Sequence, residues 1–412
     1  MKTINKEQAS ALALIKKQSV SLYRKTVDQW RSAWQAAKSA ENPRRAALYR
    51  IYDDIVVDGH LSGAITQRKN MTLQKKFFFS DKNGKQVECH AESGAGLDKM
   101  FEQVWFKDFM SLVLDSIFYG HSLIELGAVT ETGFSYARLV PRSHVMPELG
   151  VILPYEYDAP SEGTSYREPP LADWCIEAGQ PDDLGKLLDC CPHAISKRSA
   201  QGYWDEFAQL FGMPVRIAKT ATRDKNEILQ ITDMLRNMGP AAWGLFPEGT
   251  ELSLVENTKG DAFNVFDRRI DRANSEMSKC ILGQTMTLDS GSSYSQSEVH
   301  LTVLKNIVER DADMVRDIIN GRLLPLMEKH GFKVAGVTFN WANDTQYTPE
   351  QQLQMEQMLL NAGYDIDPKY FSDKYGVPVK GRTTLGWNAG GSSALRMAGE
   401  PPALQNVDSF FE

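Results

Sequence analysis

Apolar residues in this chain recur at three- and four-residue steps over several long stretches, the spacing of one face of an α-helix. The clearest pair runs from Asp261 to Lys329. Val265, Ile270, Ala273, Met277 and Ile281 mark one side of a first helix, and Val303, Leu304, Ile307, Val308, Met314, Val315 and Ile318 one side of a second. Between them lies a polar loop, Gly283-Gln-Thr-Met-Thr-Leu-Asp-Ser-Gly-Ser-Ser-Tyr-Ser-Gln-Ser297, without histidine, cysteine or lysine. Its glycines and hydroxyl side chains cannot fill a core, so it is expected to face solvent, a partner or a passing ligand.

Upstream, residues 5 to 40 have helical composition, with Val20, Tyr23, Val27, Trp30 and Trp34 along one side and basic residues between them. That interleaving is compatible with nucleic acid. The plainer reading is a helix that packs on a neighbour and keeps its lysines wet. A second helical region runs from Arg44 to Leu73. Phe77-Phe-Phe79 predicts a strand that turns at Asp81-Lys-Asn-Gly84 and returns as Gln86-Val-Glu-Cys-His90. Leu97 to Tyr119 predicts an apolar helix capped by Gly120, with His121 as a hydrogen-bonding residue at its end. Strands follow at Ser122 to Val129 and Phe134 to Val140, joined by Thr130-Glu-Thr-Gly133. Another strand pair is expected around Val145 to Tyr157, then an irregular acidic excursion from Ala159 to Pro170. Trp174 to Leu188 has little pattern.

A helix resumes after Pro192 and ends near Gly212. There follows a small α/β module: a strand at Pro214 to Lys219, a helix at Lys225 to Asn237, and strands at Ala242 to Phe246 and Glu251 to Val255. It sits between two longer helices, like a head on a stalk, and over residues 213–260 six basic residues balance six acidic ones. Beyond Lys329 the pattern gives a strand at Phe332 to Phe339 and helices at Pro349 to Asn361 and Pro368 to Tyr375. The tail from Gly381 is rich in Gly, Ser, Ala and Pro, the composition of a segment that orders only on binding.

Length and charge narrow the function classes. With 412 residues, 42% hydrophobic and 10% aromatic, the chain can bury a sizeable core, in two to three domains or one extended subunit of an assembly. The net charge of −7 is unevenly spread. Residues 1 to 50 carry eleven Lys and Arg against three acids, and residues 151 to 190 nine acids against two bases. Overall acidity argues against coating DNA by phosphate neutralisation, although contact at a few points is compatible. Five cysteines without regular spacing give neither a disulfide framework nor a zinc site. No apolar run reaches the length of a membrane span, and a soluble intracellular product in a reducing compartment is expected.

Catalytic motifs are absent from the sequence. There is no phosphate loop, no H-E-x-x-H and no G-x-S-x-G with partners in order. Asp53-Asp54 and Asp182-Asp183 are candidate metal ligands for phosphodiester hydrolysis, but adjacent acids point apart, and solvated pairs are the simpler reading. Glu309, Asp311, Asp313 and Asp317 form an acidic stripe that Arg310 and Arg316 can pair across turns. The alternating charges Arg268, Arg269, Asp271, Arg272, Glu276 and Lys279 suit either a neighbouring copy of the same helix or a solvated face. Neither a cofactor nor a metal is expected.

Several segments, in order, carry a family resemblance. They are Phe211-Gly-Met-Pro214, Trp243-Gly-Leu-Phe-Pro-Glu-Gly249, Asn274-Ser-Glu-Met-Ser-Lys-Cys-Ile-Leu-Gly-Gln-Thr-Met-Thr287, Ser295 to His300 and Asp313 to Asn320, with Ser278 to Thr287 and His300 the most specific. Over roughly residues 45 to 375 the chain resembles the portal proteins of Mu-like tailed phages and prophages. The resemblance implies an α+β portal fold with little or no crown, assembled as a ring of about twelve subunits at one capsid vertex. Double-stranded DNA would pass through it, and the terminase large subunit, head-completion or adaptor proteins, capsid and scaffold would be partners, in the virion and, during assembly, in the host cytoplasm.

Carried onto this chain, the resemblance implies an N-terminal basic arm at 1–44, wing segments at 45–190 and 330–380, and stem helices at 191–212 and 261–282. A clip at 213–260, a tunnel loop at 283–297, its supporting helix at 298–329 and a flexible tail at 381–412 complete the division. Thr285, Thr287, Asp289, Ser290, Ser292, Ser293, Tyr294 and Gln296 would face DNA. Arg223, Lys225, Glu227, Arg236, Glu248 and Glu251 would dock terminase or adaptor, and Arg268, Asp271, Arg272 and Glu276 would meet the next subunit. The competing readings are a metal-dependent nuclease using Asp53, Asp54 or the Asp311 to Asp317 stripe, and another head component such as an adaptor.

Overall fold

The computed structural model describes residues 10–15, 25–82, 84–87, 100–211, 216–237, 243–248, 262–285, 294–342, 349–364 and 366–376. They belong to two units, 1–344 and 345–412, each considered by itself.

The first unit opens with a short turn at Leu12–Leu14 and then three helices, α1 (Val27–Ala37), α2 (Ala46–Ile55) and α3 (Gly59–Leu73). Thr26 and Gln29 cap α1 reciprocally, and Asp58 caps α3 by accepting from the His60 and Leu61 amides. Strand β1 (Phe77–Ser80) precedes α4 (Val104–Tyr119), which ends at Gly120 with φ 85°. A strand-rich region follows: β2 (His121–Leu126), β3 (Val129–Thr130), β4 (Gly133–Phe134), β5 (Ala137–Leu139), β6 (Val145–Met146), β7 (Val151–Ile152), β8 (Thr164–Ser165) and β9 (Cys175–Gly179). Then come α5 (Leu187–Phe211), β10 (Arg216–Thr220), α6 (Lys225–Asn237), β11 (Trp243–Pro247), α7 (Ala262–Leu282) and α8 (Tyr294–Ile318). A π-helical turn at Ile319–Leu323 joins α8 to α9 (Leu324–Lys329), and β12 (Thr338–Trp341) closes the unit.

Three clusters hold this unit together. The first surrounds α4, whose Phe106, Phe109 and Val113 pack with Phe79, Phe101, Ile124, Ile319, Met327 and Phe339. The second joins α2, α3, α5, α7 and α8 through residues such as Tyr52, Leu61, Leu187, Cys191, Met277, Ile281 and Leu304. The third lies on the other face of the sheet ordered β5-β2-β9 and includes Leu123, Val140, Ile152, Tyr166 and Cys175. Alternation along β2 explains the division. Ile124 and Leu126 join the first cluster, Leu123 the third, and the whole strand is buried.

The structure departs from the sequence expectations at particular places. Among the described residues, helix in 5–40 is confined to Val27–Ala37 and the one turn at Leu12–Leu14. β1 pairs antiparallel with β12, in register from Phe77↔Trp341 to Ser80↔Thr338, and its local return is a single bridge, Ser80↔Gln86. The aromatic stack of Phe77 on Phe339, 5.1 Å between centroids, favours this distant pairing over a hairpin with polar Gln86 to His90. The strand expected at Phe332 to Phe339 is displaced to Thr338–Trp341, because the left-handed glycines 331 and 336 turn the chain first. His121 opens β2, where it meets Glu177, instead of finishing a helix. The patternless Trp174 to Leu188 stretch supplies β9, paired along β2. Helix α5 starts at Leu187, before Pro192; the lost hydrogen bond is offset by burial of Leu187, Cys190, Cys191 and Ala194.

The second unit contains α10 (Pro349–Asn361) and α11 (Pro368–Tyr375), both where the pattern predicted them. Glu356 ties them, accepting from Tyr370 at 2.9 Å and pairing with Lys374. The tail from 381 lies outside the described residues.

Candidate functional site

Helices α5 and α7 lie antiparallel. Near the start of α5, Cys190 meets Cys280 from the end of α7; midway, Arg269 donates to Ser196 Oγ at 2.7 Å; at the far end Phe207 and Phe266 are 6.0 Å apart. The α/β module is carried between those far ends. β10 and β11 pair in parallel, Arg216↔Trp243 to Thr220↔Pro247, with α6 as the crossover. The expected strand at 251–255 lies outside the described residues.

From its midpoint to the opposite end the pair is tied down by polar contacts. Lys197 pairs with Asp58 at 2.7 Å and Arg198 with Asp54 at 2.6 Å, while His60 Nε2 lies 2.7 Å from the buried Ser278 Oγ. Arg68, on α3, links both helices that flank the 283–297 stretch. It donates to Asp311 of α8 through Nε at 2.7 Å and Nη2 at 2.8 Å, and through Nη1 to the Ile281 carbonyl of α7 at 2.6 Å. Both charged side chains are buried, so each depends on the other for its polar partner. Contact with Cys280, together with burial, pushes the Cys190 thiol up, which keeps it a neutral packing group.

Gly283 leaves α7 at φ 71°, and a Cβ there would come within 2.7 Å of Ile307 Cδ1. A left-handed, side-chain-free residue is required where the chain departs. Gln284 is buried and Thr285 half-buried. Thr287, Asp289, Ser290, Ser292 and Ser293 lie outside the described residues. Tyr294 and Gln296 belong to the first turn of α8, so the connection ends at 293 and is shorter than the sequence implied.

Arg223, Lys225, Glu227, Arg236 and Glu248 are all exposed on the α/β module, and Glu251 lies outside the described residues. On α7, Arg268, Asp271 and Arg272 are exposed, but Glu276 already has partners within its helix: Arg272 at 2.9 Å and Lys279 at 3.2 Å. Most of the acidic groups considered for metal binding are likewise engaged. Asp54 and Asp311 have the arginine partners given above; Asp53 accepts from Tyr119, Asp313 pairs with Arg316 at 2.7 Å, and Glu309 pairs with Lys75. Among the described residues no group of three or more His, Cys, Asp or Glu is arranged to hold a metal ion.

Sequence reading missed the Arg68 tie, placing Asp311 on an acidic stripe paired across turns of its own helix. One signal was available: Arg68 falls seven residues after Leu61 and four after Ala64, on the face of α3 that is buried. The contact of His60 with Ser278, between residues 218 apart, had no such signal.

The family described as the portal protein of Mu bacteriophage matches residues 49–377 of this chain. The chain belongs to this portal family. No curated protein matches it. Among solved structures, a chain from the neck of an empty GTA particle is 12% identical, with a TM-score of 0.48, covering 86% of this chain and 100% of that one. An HK97-family phage portal protein from Corynebacterium diphtheriae is 10% identical, with a TM-score of 0.40, covering 70% and 94%.

The portal match begins inside α2 and ends just beyond α11, so it takes in both units and leaves α1 and everything before it outside. Portal proteins are structural components of phage, not enzymes, and this membership sets aside the nuclease and adaptor readings. Among the described residues of this portal protein, no helix is long and apolar enough to cross a membrane.

Proposed function

We propose that this portal protein forms a ring of about twelve copies at one capsid vertex, through which double-stranded DNA is packaged and later ejected. One observation carries the reading. Two antiparallel helices hold an exposed α/β module at one end, and at the other the chain leaves through Gly283 into a polar connection fixed by Arg68. The module, with Arg223, Lys225, Glu227, Arg236 and Glu248 exposed, is a clip for terminase and then head-completion proteins. The 283–293 connection is the tunnel loop. Hydroxyl and amide groups offer DNA weak, replaceable contacts, as a channel that must let DNA move requires, whereas a row of arginines would grip phosphates. Segments 45–190 and 330–380 supply the wing.

Deletion of Asp289 to Ser295 tests the assignment. Rings should still form, because Arg68 holds α7 and α8 on either side of the deletion through Ile281 and Asp311, while packaging or retention of DNA falls. Normal packaging by the deleted rings would overturn the tunnel-loop assignment.

A further inference from the structure

The third cluster is completed by a piece of chain from outside the family match. Residues 10–15 lie against the face of the β5-β2-β9 sheet turned away from α4, with Ala11 fully buried among Leu123, Val140, Tyr166 and Cys175. At the centre is Glu125 of β2, fully buried. Its carboxylate accepts from Ser10 Oγ at 3.0 Å, from the Leu12 amide at 2.8 Å and from Tyr136 OH at 2.9 Å. Two of those three donors come from the N-terminal segment. Without it, a carboxylate and an apolar sheet face would both be left uncovered.

This is the chemistry of a peptide socket: a buried acceptor that reads a hydroxyl and a backbone N–H two residues apart in a Ser-Ala-Leu sequence, an apolar pit for the small residue, and a shelf that takes Leu14 and Ile15. The seated segment contacts the strand-rich region, and only residues 16–26 connect it to α1. Eleven residues span up to about 36 Å when extended, so the link does not confine the segment to its own socket.

We propose that the Glu125 socket is an interaction site between copies of this chain, filled by the Ser10–Ile15 segment of a neighbouring subunit in the ring, and that the segment exchanges between its own socket and the neighbour's. The proposal rests on the ring reading above. Exchange of an identical element adds a link between subunits without requiring any new contact surface.

The test uses full-length chains of two kinds. Ser10→Asp sets a carboxylate against Glu125 and expels the segment while leaving the socket intact; Glu125→Ala removes the socket's acceptor while leaving the segment intact. Cys175, buried in the same cluster as Ala11, reports occupancy through its labelling by maleimide. In rings of isotope-labelled Ser10→Asp chains, Cys175 should label at least about tenfold faster than in wild type. In mixed rings, Glu125→Ala partners should restore protection to the isotope-labelled chains, and a synthetic peptide of residues 8–17 should do the same.

Mixed rings that remain unprotected would overturn the exchange. Failure of the peptide to protect would overturn the socket. If either variant fails to assemble, uptake by wild-type rings of the 8–17 peptide carrying a fluorophore, competed by unlabelled peptide and not by its Ser10→Asp form, decides the same question; no uptake overturns it. Absence of rings under the electron microscope would count against the portal reading itself, and is scored separately.

Discussion

The two ends of the α5–α7 pair are built differently. At the Arg68 end, α2, α3, α5, α7 and α8 converge on a continuous apolar cluster, and the buried charges there are matched. At the module end, Leu235 is the buried apolar residue among those described on α6, β10 and β11, while Ile217, Leu229 and Met234 are exposed to 40%, 58% and 52%. Tyr203 and Val265, on the adjoining parts of the helices, are exposed as well. One end is complete in a single chain. The other has apolar surface that a single chain does not cover, as expected of a piece that finishes folding against its neighbours or docks partners in turn.

Breaking the complete end should have the largest effect. Arg68→Met leaves Asp311 buried without its partner and should cost about 3–5 kcal/mol in denaturant unfolding. The double variant Arg68→Met/Asp311→Leu, which removes both charges, should recover most of that loss. A single variant as stable as wild type would mean that the two ends are not so unlike. At the module end, Leu235→Ala should cost about 2 kcal/mol, the low side for a buried leucine, because the surrounding residues are exposed and can relax. Ser278→Ala, which removes the hydroxyl facing His60, should cost about 1 kcal/mol by the same measurement.

The smallest effect on the isolated chain is expected from Leu229→Ser with Met234→Ser, within about 0.5 kcal/mol. Ring yield or terminase binding should nevertheless fall. A large stability loss with normal assembly would show that these residues belong to a core within one chain.

Acid offers a test in the strand-rich region. Burial alone would raise the Glu177 carboxyl, but hydrogen bonds from His121, Arg167 and Tyr166 outweigh it and hold its pKa at about 2. Because the folded value is depressed, the stabilisation is present above the ordinary value near 4.5 and is lost as pH falls towards 2. Burial also lowers the His121 pKa, so protonation of the unfolded chain below about 6.5 adds a loss that begins at higher pH. Glu177→Gln should flatten the lower window in pH-dependent melting. An unchanged acid limb would place the sensitivity elsewhere.

The helices that pack on one face were legible in the sequence because a 3.6-residue pattern is local. α7, α10 and α11 match the expected spans closely, and Gly120 and Gly376 end their helices as glycine caps should. What the sequence hid was non-local. β1 finds β12 across the unit, β9 pairs with β2 despite an undistinguished pattern, and Asp311 finds Arg68 from 243 residues away. Pro192 misled because it usually marks a helix start, and here burial of its neighbours carries the helix through it. The segment at residues 10–15 misled for another reason: Ala-Leu-Ala-Leu has high helix propensity, but the Glu125 carboxylate holds the Ser10 hydroxyl and the Leu12 amide in a single turn. For the site, order and composition pointed to the paired helices, the module and the connection; the Arg68 anchor came only with the structure.

The central claim is that the α5–α7 pair and the Gly283 connection stand around an axis shared by many copies. Cryo-electron microscopy of the assembled protein, with and without capsid or scaffold partners, tests it most directly. The account predicts a closed ring of about twelve subunits, with the connection after Gly283 at the central opening and the α/β modules gathered at one end. A chain that stays monomeric or dimeric under all of these conditions, or a ring that carries the connection on its outer rim, would contradict it.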